Sequence, residues 1–97
     1  MAKKIDITDK LSFDENPRII IKDTEFEVNS DAKTMLEIMG LFSSKSDTEA
    51  TLGAYEKMFS EKDRKKIDQM KLPFKDLMVI IKESMKLIQG DDEAGEQ

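Results

Sequence analysis

Catalysis near neutral pH usually rests on a histidine or a thiol, and this chain of 97 residues contains neither. The common general base, the common nucleophile and the two commonest transition-metal ligands are therefore missing together. Carboxylates, lysines and hydroxyls remain. Glu25, Glu27, Glu37 and Glu49 offer carboxylates, but no two stand out as an acid/base couple. Asp91-Asp92-Glu93 lacks the spaced oxygen ligands and internal glycine of a calcium loop. There is no G-x-S-x-G, no P-loop and no dinucleotide fingerprint. An enzyme would have to work in a pocket with serine, lysine or carboxylate, and a chain this short has little interior to spare for one. No catalytic, cofactor-binding or metal-binding residue is assigned, and the chain is expected to hold something rather than convert it.

The charge pattern narrows what is held. Lys and Arg number 16 against 21 Asp and Glu, a net charge of −5. Asp91, Asp92, Glu93 and Glu96 supply four of those negative charges, so the body is nearly neutral. Arg64-Lys65-Lys66 is offset by Glu61, Asp63 and Asp68 and reads as a solvated helix face. No candidate recognition helix is basic, so neither a DNA reader nor any other nucleic-acid partner is expected. No run of 18 apolar residues is present, so no membrane span is expected. The opening Met1-Ala2-Lys3-Lys4 has no apolar signal-peptide region. A cytoplasmic location is expected.

The elements that must position any binding surface follow from periodicity. Ile5 and Ile7 alternate with polar neighbours, room for a short third strand, and Leu11 and Phe13 could fold back as an apolar tether. Asp14-Glu15-Asn16-Pro17 reads as a turn. Arg18-Ile19-Ile20-Ile21-Lys22 and Glu25-Phe26-Glu27-Val28 read as strands joined at Asp23-Thr24, with Phe26 and Val28 on one face. This hairpin could pair edge to edge with a neighbour or lie under helices. Asn29-Ser30-Asp31 starts a helix whose stripe is Ala32, Met35, Leu36, Met39 and Phe42, widened by Ile38 and Leu41. Ser46-Asp47-Thr48-Glu49 is a capping box for a second helix with Leu52, Tyr55, Met58 and Phe59 on one side. Ser60 starts a short charged third helix in which Ile67 and Met70 look inward.

The fourth helix follows Pro73, with the stripe Phe74, Leu77, Met78, Ile81, Met85 and Ile88. Gly90 is expected to end it as a left-handed cap. Residues 1–90 thus form one α+β domain, mostly α: an N-terminal hairpin and about four helices. Residues 91–97 form a disordered acidic tail.

Seven methionines are present, and Met35, Met39, Met58, Met78 and Met85 are expected to fill the helical core. Val79, Ile80 and Leu87 broaden the apolar arc of the fourth helix, which implies either that the helix is central to the core or that it meets another chain. They are the first interface candidates, with Leu41 and Phe42 next.

The order of parts resembles the small tail assembly chaperones of long-tailed phages and prophages of Gram-positive bacteria. The resemblance lies in the lysine-bearing opening, the hairpin spanning residues 17–29, and the helix carrying Ala32-Lys33-Thr34-Met35-Leu36. It continues through the capped helix leading into Tyr55-Glu56-Lys57-Met58-Phe59-Ser60-Glu61-Lys62-Asp63. The last helix, from Leu72-Pro73-Phe74-Lys75-Asp76, and the acidic tail complete it. It implies a non-enzymatic job: self-association into spiral or ring-like assemblies, coating of the tape-measure protein, and recruitment of tail-tube subunits in the bacterial host cytoplasm. No family motif maps onto particular residues. The alternative is a small cytoplasmic adaptor or regulator, antitoxin- or anti-repressor-like, that binds one protein target.

Overall fold

A computed structural model describes residues 2–89. A two-stranded antiparallel hairpin precedes four helices, the α+β, mostly α order expected. The expected cap at Gly90 and the acidic tail at residues 91–97 lie outside the described residues.

Strands β1 (Arg18–Ile21) and β2 (Thr24–Glu27) pair with Ile19 opposite Phe26 and Ile21 opposite Thr24. The turn falls on Lys22-Asp23, one residue earlier than expected. Both residues are left-handed, with φ of 49° and 69°. Two consecutive positive φ angles twist a two-residue loop in the same sense as the strands, and that makes Thr24 the first residue of β2. Phe26 and Val28 are fully buried, Ile19 and Ile21 half-buried, and Ile20 lies exposed on the other face.

The third strand is not formed: among the described residues the sheet has two strands. Asp6 Oδ1 accepts from the Thr8 N–H at 3.0 Å and from the Thr8 hydroxyl at 2.6 Å. These bonds turn the backbone into a 3₁₀ turn at Thr8–Lys10, which interrupts any extended run. The Leu11 and Phe13 tether is not formed either, since residues 2–15 are all exposed. The body begins at Asn16. Its Nδ2 donates to Glu27 Oε2 at 2.7 Å, and its Oδ1 accepts from the Ser30 N–H and hydroxyl at 3.1 and 3.0 Å.

Helix α1 (Ala32–Ser44) is capped by Asp31, whose carboxylate accepts from the Thr34 N–H at 3.1 Å and the Thr34 hydroxyl at 2.7 Å. The hydroxyl bond first, then the N–H bond, favour the charged carboxylate and hold Asp31 below its ordinary range. Helix α2 (Asp47–Met58) starts with both halves of the Ser46/Glu49 capping box in place. Helix α3 (Glu61–Gln69) is capped by Ser60, which accepts from the Asp63 N–H at 3.2 Å. Lys71, with φ of 52°, reverses the chain after α3. Helix α4 (Phe74–Gln89) follows Pro73, whose carbonyl accepts from the Leu77 N–H at 3.1 Å.

The core joins the hairpin to every helix through Phe26, Val28, Ile38, Met58, Phe59, Ile67 and Ile81. Asn29 ties the end of the hairpin to α2: its N–H donates to the Met58 carbonyl at 2.9 Å and its Nδ2 to the Lys57 carbonyl at 3.0 Å. Tyr55 and Phe59 tilt against each other with ring centroids 5.9 Å apart. From α3 only Ile67 and Met70 turn inward among apolar residues, as expected. On α2 the expected face shifts. Ala50 and Ala54 are fully buried, while Leu52 is exposed. The cause is the close approach of α1, since a Cβ on Gly53 would stand only 2.6 Å from Leu41 Cδ1. Small residues therefore face α1, and the larger Leu52 turns away.

Candidate protein-binding surface

Helix α1 carries more apolar surface than its neighbours cover. Successive residues turn by about 100°, which sets Thr34, Ile38 and Leu41 on one side. Ile38 is fully buried, and Thr34 and Leu41 are half-buried. Leu36 and Met39 lie on the other side, 65% and 55% exposed, and Phe42 lies between the two sides, next to Ile38 around the helix, 41% exposed. Of the apolar stripe read from the sequence, Met35 is half-buried while Leu36, Met39 and Phe42 are exposed. Leu41 docks against α2 and Ile38 enters the core, and Leu36 and Met39 are left exposed. Of the interface candidates on this helix, Phe42 is exposed at the edge of the buried side. Leu41 is engaged against α2 at Gly53. Met39 is outside as well, whereas Met58 is buried and Met35, Met78 and Met85 are half-buried.

On α4 the candidates separate. Ile80 is half-buried and packs on the core together with Leu77, Met78, Met85 and Ile88. Val79 and Leu87 are 56% and 42% exposed. They flank Glu83 and Lys86, which pair at 3.4 Å, so charge divides this outer face. It is a charged helix surface with two apolar interruptions, unlike the continuous arc on α1. Ser84 is fully buried on the inner side, and its hydroxyl has no hydrogen-bond partner.

A groove of about 370 Å³ runs between the first turns of α2 and α4, and no reading of the periodicity placed it. Thr48, Thr51 and Leu52 form one wall and Phe74, Leu77 and Met78 the other, with Tyr55 and Ile81 also lining it. Phe74, the first residue of the apolar stripe of α4, is exposed and lines the groove together with the exposed Leu52. The available signals were weak: Leu52 is out of phase with the buried Ala50 and Ala54, and Phe74 sits directly after a helix-starting proline. Asp47 and two threonine hydroxyls are the polar groups of the lining apart from Tyr55. A largely hydrocarbon cleft of this size suits an apolar group, not a charged reactant. The Tyr55 oxygen lies 2.8 Å from Asp68 Oδ1 and 3.3 Å from the Arg64 carbonyl. Burial, and then the Asp68 carboxylate accepting its proton, push the phenol well above its usual range, so it stays neutral.

The basic run on α3 is tied locally. Arg64 Nε donates to the Phe59 carbonyl at 3.2 Å, and Lys65 lies 4.0 Å from Glu61. Among the described residues no three acidic side chains gather to hold a metal ion. No helix of the described residues is long and apolar enough to cross a membrane. Compared with known protein families, curated proteins and solved structures, the chain matches none.

Proposed function

We propose that this chain is a non-enzymatic tail assembly chaperone of the kind found in long-tailed phages and prophages, which covers the tape-measure protein and engages tail-tube subunits during assembly. The observation that carries the proposal is the outer face of α1. Leu36, Met39 and Phe42 present a row of large apolar side chains on a helix already anchored by Ile38 and Leu41. A row at this spacing packs on a second helix by interdigitation of side-chain ridges. A long amphipathic helix such as a tape-measure segment offers many equivalent stretches of that kind. Modest affinity per copy, repeated along such a partner, becomes stable but reversible coverage.

The test is co-purification of the full chain with a tape-measure segment and, separately, a tail-tube subunit from the same genome. The double variant Leu36→Glu with Phe42→Glu is expected to keep the circular dichroism of the parent. It should lose binding by at least about tenfold, the effect of charging the centre of an apolar contact. Retained binding in the folded double variant would move the site away from α1. A fixed equimolar complex with one unrelated protein target, and no higher species, would favour the adaptor reading.

A further inference from the structure

Two unmatched apolar features lie on different parts of the molecule. One is the arm, residues 2–15, where Ile5, Ile7, Leu11 and Phe13 are all exposed. The Cα radius of gyration is 16.0 Å, against about 12.5 Å for a compact domain of this length. The other is the groove between α2 and α4, where Leu52 and Phe74 stand exposed around a cleft of about 370 Å³. No arm residue lines the groove of its own molecule. The arm leaves the body at Asn16, which is pinned between Glu27 and Ser30.

The charges match in the same sense as the apolar groups. Lys3 and Lys4 immediately precede Ile5. Asp47 lines the groove, Glu49 shares the first turn of α2 with it, and Asp76 lies in the first turn of α4, with Lys45 and Lys75 the nearest cations in sequence.

We infer that the arm of one copy docks in the α2/α4 groove of a second copy, seating Ile5 and Ile7 between Leu52 and Phe74 with Lys3 and Lys4 beside Asp47. The inference rests on the assembly reading above and supplies the contact between copies, leaving the outer face of α1 free for the partner helix. A patch that fits a different patch on an identical molecule makes a head-to-tail contact, which repeats until a ring closes or a helical string grows.

The experiment uses two full-length variants. Ile5→Glu with Ile7→Glu spoils the arm and leaves the groove; Leu52→Glu with Phe74→Glu spoils the groove and leaves the arm. All four positions are exposed, so both variants should keep the circular dichroism and melting of the parent, and serine replacements serve if either does not. By sedimentation velocity the parent is expected to form larger species as concentration rises from micromolar to millimolar. Each variant alone is expected to stay monomeric. An equimolar mixture is expected to form a dimer and stop there, because only one intact arm meets one intact groove.

Oligomers persisting in either folded variant would overturn the inference, as would a mixture that remains monomeric. A parent that stays monomeric throughout, the result for an arm that folds onto its own groove, would overturn it too. None of these outcomes touches the α1 face, so tape-measure binding by the same variants reports separately on the proposed function.

Discussion

Tyr55 is the only tyrosine in the chain, so its titration can be followed without interference. It is almost fully buried, and both its burial and its bond to Asp68 favour the neutral phenol. In the unfolded chain a phenol ionises near about pH 10. The folded value is raised above this, so the folded state keeps a proton that the unfolded state releases. The contribution to stability is therefore complete below about pH 10 and declines as pH rises beyond it. The phenolate absorbance is expected to stay flat through this region while the helical circular dichroism persists, and then to rise together with unfolding. A phenolate signal at half height near pH 10 in a still-helical protein would contradict the buried geometry. Tyr55→Phe should flatten the alkaline loss of stability, at a cost of about 1 kcal/mol because Asp68 is exposed and can recover water. The caps at Ser46 and Ser60 were legible in the sequence because a capping hydroxyl and the N–H that donates to it lie within four residues. The Tyr55–Asp68 pair spans two helices and depends on their packing, so no local pattern announced it.

Two helical glycines test the account of α1 and α2. Gly40 lies in α1, and a Cβ built there meets no atom within 4 Å. Gly53 lies in α2, where the same Cβ would press on Leu41 Cδ1 at 2.6 Å. Alanine lowers the entropy of the unfolded chain and favours helix at both sites by about 0.5–1 kcal/mol. Gly40→Ala should retain that gain, raising the melting temperature by a few degrees. Gly53→Ala should retain less of it, since Leu41 must give way before the helices can approach. Equal stabilisation of the two variants in thermal melts would show that the helices are not closely apposed. This contact also bears on which side of α1 is buried. Helix existence, order and starting points followed from periodicity and capping. The choice between two apolar sides of α1 was decided by the glycine and alanines of α2, which carry almost no hydropathy signal. Ile80, at the edge of the apolar arc of α4, is half-buried against the core, a distinction from the exposed Val79 and Leu87 that periodicity alone could not draw.

At the scale of the whole molecule, exposed apolar surface exceeds what scattered surface residues would explain. The arm, the groove rim and the outer face of α1 each present several large apolar side chains. The charged pairs accompanying them are solvent-facing: Arg18–Glu25 at 3.3 Å, Lys57–Glu37 at 3.3 Å and Lys86–Glu83 at 3.4 Å are all substantially exposed. Such pairs contribute about 0–1 kcal/mol and weaken further in salt. Association that used them would dissolve as sodium chloride is added. Association through apolar contacts should instead survive sodium chloride, strengthen in sulfate, and weaken on cooling, because hydrophobic attraction near room temperature is entropic and fades as water is chilled. Isothermal dilution of concentrated protein at several temperatures should give a negative heat-capacity change of association, the sign of apolar burial. Oligomers that dissolve in moderate sodium chloride and tighten in the cold would assign their contacts to the charged faces of α3 and α4. The arm, the groove and α1 would then be surfaces without a part in assembly.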